Sequence, residues 1–354
     1  MKVLSVVGDR PHLVHLGPIA QVLRQHGQVQ HVVVHTGQHY DPMLSDVFFR
    51  DLGIDAPVDH LGVGGSSPGR QTGELLAKLD AVLEEHTPDW VLCVGDDNAA
   101  VATALSCAKN PKVRMARLQA GLRSFRRTAS DEVNRAVTDR VADLLLVPTR
   151  VAMDNLAREG LAGRAVYTGD VMADVCLSTN AAVAGDPLPL PAGVTPQDPY
   201  AIATIHRPEN TDSPGRLKGI LDVLRRAELP VVLVTHPRLA ALSNRHGLRL
   251  SGGSIHQSLS LRYPEMTRLL SGAAGAVTDS TGLQKEAFLL GVPVTTLRRE
   301  TECPETLTAQ RNVLDVALDT LPDGIVRTIG NAPSPHPYGD GRSARNVVDA
   351  ILAA

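Results

Sequence analysis

Aromatic side chains make up only 3% of the 354 residues, too few for the stacking platforms that hold single-stranded nucleic acid. Cysteine is also scarce. Cys93, Cys107, Cys176 and Cys303 form no CxxC pair and fall short of a secreted disulfide scaffold, so reduced thiols are expected. Charge of one sign is missing too. The net of −3 provides no global field for nucleic acid or an anionic membrane, and any phosphate binding must be local. No apolar run reaches the roughly 18 residues of a membrane span. The opening MKVLSVVGDRPH is too short for a signal-peptide core, and a cytoplasmic protein is expected. HExxH and close His–carboxylate spacings are absent, so no metal site is expected. GxSxG and a Ser or Cys elbow are absent as well, which disfavours nucleophilic catalysis.

The chain is long enough for two domains, each with its own core. KVLSVVG, HVVVHTG, WVLCVGD, VRMARLQAG and DLLLVPT read as buried parallel strands. Amphipathic helices are expected between them from Pro18, Gly73, Ala99, Glu132 and Val151. That alternation is a doubly wound α/β sheet, which binds ligands beyond the carboxyl ends of its strands. GDRPH, TGQHYD, GDDNA and QAGLRS lie there. Residues 180–199, rich in Pro, Ala and Gly, read as a linker. YAIATIH, PVVLVTH, GAVTDS and PVTTLR then resume the strands, with helices expected near Leu217, Tyr263, Gly282 and Leu318. The expected organisation is an N-terminal Rossmann-like domain over 1–180 and a second over 181–341, with 342–354 packing back on the first. Two such domains facing a cleft form the glycosyltransferase-B type of fold.

TDSTGLQKEA, Thr278 to Ala287, carries the strongest phosphate signal. Small residues Ser280, Thr281 and Gly282 leave backbone amides open at a helix start, and Glu286 can accept from a ribose diol. The alternative is an ordinary N-cap followed by a surface Glu. IHRPEN places His206 and Arg207 past a strand end; Arg can fork onto phosphate and His titrates near neutrality, though such a His is often structural. THPR repeats the pattern with His236 and Arg238. GDRPH supplies Arg10 without a GxGxxG fingerprint, so no nicotinamide cofactor is inferred. Asp96 of GDD stands where a general acid or base is useful, or where a helix needs a cap. Asp131, Glu132 and Arg135 of SDEVNR read either as site groups or as a helix start with an ion pair. Gln119 of RLQAGLRSF can hold a sugar hydroxyl but cannot exchange a proton near neutral pH.

Taken in order, GDRP, TGQHYD, GDDN, QAGLRS, DEVNR, TGD, HRPEN, HPR, TDSTGLQKEA, GVPVTTLRRETECPET and HPYGDG resemble the non-hydrolysing UDP-N-acetylglucosamine 2-epimerase family, from Met1 to about Ala350. The resemblance implies a UDP-amino-sugar substrate, a metal-free reaction without a cofactor, a homodimer, and the nucleotide held mainly by the C-terminal domain. It implies elimination of UDP with loss of the C2 proton, then re-addition with the proton delivered to the other face. Arg10, His206, Ser280, Gly282 and Glu286 match nucleotide-binding positions. His236 matches a nucleotide or effector position, and Asp96, Asp131 and His206 match acid/base positions.

The departures lie inside the same motifs. Gln119 stands where the family has a catalytic Glu, and Asp131, followed by Glu132, stands where it has another. GDRPH and His15 replace GTRPE and a nearby Lys, and Thr281 replaces the second Gly of DSGG. Asp9, His12 and His15 are therefore new titratable groups near the missing ones. The resemblance also implies a second pocket for activation by substrate, to which Gln38, His39 and Arg70 would belong, although the loop HLGVGGSSPGRQTG departs from the family pattern there. The expected catalytic set is Asp96, Asp131, His206, Gln119 and Glu132. The expected binding set is Arg10, His15, Arg135, Arg207, His236, Ser280, Thr281, Gly282 and Glu286. The expected activity interconverts UDP-GlcNAc and UDP-ManNAc. The alternatives are a hydrolysing or glycal-forming enzyme and a silent UDP-sugar-binding protein.

Overall fold

A computed structural model describes the chain except residues 9, 38–48, 50–51, 320, 322–324 and 331–335 and the side chain of Arg10. It divides into two compact units, Met1–Val175 with His336–Ala354, and Cys176–Pro335. The first runs β1 (Lys2–Val7), α1 (Arg10–Gln25), β2 (Gln30–His35), β3 (Asp59–His60), α2 (Pro68–His86), β4 (Trp90–Cys93) and α3 (Asn98–Lys109). It continues with β5 (Arg114–Leu118), α4 (Ser130–Val141), β6 (Leu144–Val147), α5 (Arg150–Arg158), β7 (Ala165–Tyr167) and the start of α6 (Val171–Ala182). Its seven parallel strands are ordered β3-β2-β1-β4-β5-β6-β7. The strand interiors are apolar because both sheet faces are covered. Leu4, Val34, Val91 and Leu145 are fully buried and share a cluster with Leu75 and Leu79 of α2.

The second unit contains β8 (Ala201–Thr204), α7 (Pro208–Thr211), α8 (Pro214–Arg225), β9 (Val231–Val234), α9 (Pro237–Arg245), β10 (Ile255–Ser258) and α10 (Tyr263–Ser271). It continues with β11 (Gly275–Thr278), α11 (Thr281–Leu289), β12 (Val294–Thr296) and β13 (Asn312–Leu314). Its six parallel strands are ordered β10-β9-β8-β11-β12-β13. In each sheet the order reverses beside the unit's first strand, between β1 and β4 and between β8 and β11. That reversal is where open α/β sheets bind ligands. The two-sheet α/β architecture is of the glycosyltransferase-B type.

Three expectations are corrected. α1 begins at Arg10 and passes through Pro18; the missing N–H costs one helical hydrogen bond, while Leu16, Ile19 and Leu23 are fully buried on either side of the proline. Residues 183–199 are not a free linker. Leu188 and Leu190 pack on the second unit's core, where Val194 and Tyr200 are buried, and the division of the chain falls within α6. Leu318, near which a helix is expected, lies instead in a bend with a left-handed φ of 68°; residues 320 and 322–324 lie outside the described residues. The last helix, Ser343–Ala353, packs on α1. No described helix is long and apolar enough to cross a membrane.

Candidate active site

In the first unit, Asp96 and Asp97 follow β4 and divide the two roles open to a strand-end Asp. Asp97 caps α3, its Oδ1 accepting from Ala100 N at 3.0 Å. Asp96 is left to pair with Arg135, whose Nη1 donates to its Oδ2. The same nitrogen lies 3.7 Å from Asp131 Oδ2, and Arg135 Nη2 donates to Glu132 Oε2 at 2.9 Å. Arg135 is 1% exposed. A guanidinium can donate in several directions from one plane, and here it gathers three carboxylates at the carboxyl edge of the sheet.

The three carboxylates differ in what else they hold. Glu132 is buried and accepts from Ser124 N at 2.8 Å, Ser124 Oγ at 3.0 Å and Phe125 N at 3.0 Å. Burial alone would raise its pKa, but the donors from Ser124 and Arg135 outweigh it and the pKa is lowered. Sequence reading put Glu132 among the catalytic groups; its geometry is that of an anchor for the loop after β5. Arg135, read from sequence as a binding residue, is enclosed by these acids and positions them. Asp131 and Asp96 are partly exposed, at 26% and 43% of their side chains, and Asp131 Oδ1 also accepts from Glu132 N at 3.0 Å.

Gln119 follows β5 with a left-handed φ of 58°. Its Nε2 lies 2.9 Å from His15 Nε2 and 3.4 Å from Asp170 Oδ1. His15 Nδ1 is 2.6 Å from Pro11 O. His12 is buried, accepts from Gly8 N at 3.3 Å, and lies against Gly95, where an added Cβ would fall 1.9 Å from its Nε2. Gly95 also has a φ of 91°, so only glycine suits that turn. Below the loop, Asp139 accepts from Gly121 N at 2.9 Å and Arg123 Nη1 at 2.7 Å. Arg70 is exposed on α2. Asp9, Gln38 and His39 lie outside the described residues, as does the side chain of Arg10.

In the second unit, Asp279 is fully buried and clamps the loop after β8. It accepts from His206 N at 3.1 Å, Arg207 N at 3.0 Å and Asn210 Nδ2 at 3.0 Å, and lies 3.1 Å from His206 Nδ1. With Nδ1 turned to Asp279, His206 keeps Nε2 for another partner. Burial holds its pKa below the ordinary histidine value, Asp279 opposes this, and Arg207, Arg238 and Arg298 reinforce it. The His236 ring is 5.5 Å from that of His206, and its Nδ1 accepts from Arg238 N at 3.1 Å.

Ser280 caps α11 through its hydroxyl, so Thr281 and Gly282 lie in the helix's first turn, where backbone amides have no intrahelical acceptor. Thr281 Oγ1 accepts from Arg207 Nη2 at 3.3 Å and Arg298 Nη1 at 3.2 Å, and donates to Glu302 Oε1 at 2.6 Å. Glu286, one turn on, is buried rather than at the surface. Burial raises its pKa, against a hydrogen bond from the Tyr263 hydroxyl. Arg298, Glu302, Asp279 and Asp170 were not singled out from sequence. Asp170, Asp279 and Arg298 each follow closely on a strand, the one signal that could have drawn attention to them. Among the described residues, no cluster of three or more His, Cys, Asp and Glu side chains is placed to hold a metal ion.

A family profile described as UDP-N-acetylglucosamine 2-epimerase matches residues 21–352. A UDP-2,3-diacetamido-2,3-dideoxy-D-glucuronate 2-epimerase of Pseudomonas aeruginosa is 36% identical over 99% of each chain. A UDP-N-acetylglucosamine 2-epimerase of Methanocaldococcus jannaschii is 32% identical over 98% of each. The crystal structure of the M. jannaschii UDP-GlcNAc 2-epimerase, in complex with UDP-GlcNAc and UDP, superposes with a TM-score of 0.91 at 31% identity, covering 100% of both chains. The chain belongs to the UDP-N-acetylglucosamine 2-epimerase family.

Proposed function

We propose that this chain is a UDP-sugar 2-epimerase that interconverts UDP-GlcNAc and UDP-ManNAc by eliminating and re-adding UDP. The observation that carries the reading is the Arg135 clamp, which holds Asp96 and Asp131, two partly exposed carboxylates from different elements, at the ligand-binding edge of the first sheet. Epimerisation at C2 calls for a base on one face and an acid on the other. As a base takes the C2 proton, the C–H electron pair forms the C1=C2 bond and the C1–O bond to UDP breaks, leaving 2-acetamidoglucal and UDP. Protonation of C2 from the opposite face and return of the UDP oxygen to C1 complete the change. No oxidation state changes, so no redox cofactor is called for.

Asp96 and Asp131 are assigned the proton transfers, with His206, whose pKa burial lowers, as a further acid/base group. The departing diphosphate is assigned to Arg10, Arg207 and the amides of Ser280, Thr281 and Gly282, and the ribose diol to Glu286. Amides and guanidinium groups aimed at developing charge are the larger part of such catalysis. A second sugar is favoured by the 36% identity to the diacetamido-glucuronate enzyme, whose substrate differs at C3 and C5. Gln119 favours a second outcome, release of the glycal, because an amide cannot return a proton.

The test is incubation with UDP-GlcNAc, and in parallel with UDP-2,3-diacetamido-2,3-dideoxy-glucuronate, in D₂O, followed by NMR of the C2 and anomeric protons. An epimer carrying deuterium at C2 is expected. Free 2-acetamidoglucal would establish the glycal-forming alternative. UDP binding with no C2 exchange on either sugar would overturn the enzyme reading.

A further inference from the structure

We propose that Gln119 is a specificity-determining acceptor: His15 and Asp170 hold its amide nitrogen, so that its carbonyl oxygen is presented to an N–H or O–H donor of the sugar. The proposal rests on the UDP-sugar reading above and assigns Asp170 and His15 as positioning residues.

The orientation of an amide side chain follows from its neighbours. Asp170 Oδ1 accepts from Met172 N at 2.9 Å, so it is an acceptor, and Gln119 must turn its NH₂ rather than its oxygen toward it. That choice places a donor 2.9 Å from His15 Nε2, which must then be an unprotonated acceptor. The proton is left on Nδ1, which faces Pro11 O at 2.6 Å. Two separate constraints, Asp170 through Gln119 and the Pro11 carbonyl directly, thus select the same neutral tautomer. Both N–H bonds of Gln119 are used, and among the described residues its Oε1 has no partner.

The backbone supports the same reading. Gln119 sits at a left-handed φ of 58°, which disfavours any residue with a side chain, and such strain persists where the surroundings over-determine it. Ala120 N donates to Leu146 O at 3.1 Å, and Gly121 N to Asp139, pinning the two residues that follow the strained position. A carboxylate at position 119 could donate to neither partner and would set oxygen against Asp170 Oδ1. The arrangement is built around an amide, and it separates sugar recognition at position 119 from the proton chemistry assigned to Asp96 and Asp131.

The test uses the full-length protein labelled with ¹⁵N-histidine, the His15 signals being assigned by their loss in His15→Gln. The expected wild-type spectrum is that of the Nδ1–H tautomer at neutral pH, kept in Asp170→Asn, whose Oδ1 still accepts. In Asp170→Ala the Pro11 carbonyl still holds Nδ1–H, but the Gln119 amide loses the partner that orients it, so UDP-GlcNAc binding is expected to weaken while UDP binding does not. Titration calorimetry with UDP-GlcNAc and with UDP gives the second readout. Gln119→Met is expected to weaken UDP-GlcNAc about 5- to 30-fold, the range of one lost hydrogen bond, and to leave UDP unchanged. An Nε2–H or cationic His15 in the wild type, or equal affinity of Gln119→Met for UDP-GlcNAc, would overturn the assignment. If the wild type neither binds nor turns over UDP-GlcNAc, the functional reading for that substrate fails separately, and the tautomer still decides the geometry.

Discussion

Thr281 shows how one hydroxyl can re-equip the helix start to which the diphosphate is assigned above. The family resemblance leads one to expect glycine there, whose value would be an open backbone. In this chain the threonine oxygen takes hydrogen bonds from Arg207 and Arg298 and gives one to buried Glu302, so two guanidinium groups are held at the first turn of α11. Glu302 also pairs with Arg298 at 2.8 Å, which neutralises a cation only 6% exposed. On the proposed reading, Arg298 would exchange part of that pairing for phosphate oxygens. Arg298→Met is expected to weaken UDP binding about 10- to 100-fold, the range of a charge-assisted hydrogen bond lost at a partly buried site. Calorimetry with UDP checks it, alongside a urea curve to confirm folding. Wild-type affinity in a folded variant would mean that Arg298 only neutralises Glu302.

At the scale of elements, β2 carries a pH dependence that is independent of the site. His31 lies near its start, with Nε2 2.9 Å from Ser5 Oγ on neighbouring β1. Its pKa is lowered to about 4, mainly by burial, with Asp55 opposing the shift and Arg24 adding to it. The unfolded chain takes up this proton near the ordinary value of about 6.5. Between those two values the unfolded state binds more protons, so stability is full above the unfolded pKa and is lost as pH falls toward about 4. Between about pH 7.5 and about pH 5 this group is expected to remove about 2 kcal/mol. Urea midpoints at the two pH values should show that loss in the wild type and lack this share of it in His31→Gln; identical losses would place its origin elsewhere. The same strands explain what sequence could disclose. β4, β6 and β9 are buried on both faces and read as unbroken apolar runs, and β1 is interrupted within its buried stretch by Ser5 alone. Edge strand β3 is only Asp59–His60, and β10 is IHQS with one strand neighbour, so neither shows a hydrophobic period. Strand-end motifs such as GDD and DST were legible because small and acidic residues interrupt apolar runs. Gln119 and His15 were legible as single residues, but their contact with each other and with Asp170 was not, since the three meet only when separate strand–helix crossings are assembled on one sheet edge.

On the scale of the molecule, both units use one strand order, yet they place different chemistry at the switch point. The first presents carboxylates gathered by a buried guanidinium; the second presents helix-start amides and arginines beside a histidine whose pKa burial lowers. The last helix belongs to the first unit despite following the second in sequence. Asp174 Oδ2 accepts from Ala344 N at 2.8 Å at its start, Asn346 Nδ2 donates to Thr168 O at 3.0 Å, and Arg114 Nη1 donates to Ala354 O at 2.8 Å. Val347, Val348 and Ile351 are buried on its inner face. A charge at Val347 would be placed in an apolar contact with no partner, so Val347→Asp is expected to cost about 3 to 5 kcal/mol. If nucleotide recognition resides in the second unit, that loss should reduce epimerisation and urea resistance while UDP affinity, measured at a temperature where the second unit remains folded, stays within about twofold of the wild type, less than the tenfold that about 1.4 kcal/mol represents. Loss of UDP affinity in step with the first unit's unfolding would show instead that residues of the first unit, such as those of the GDRPH loop, carry a substantial share of the nucleotide's binding energy.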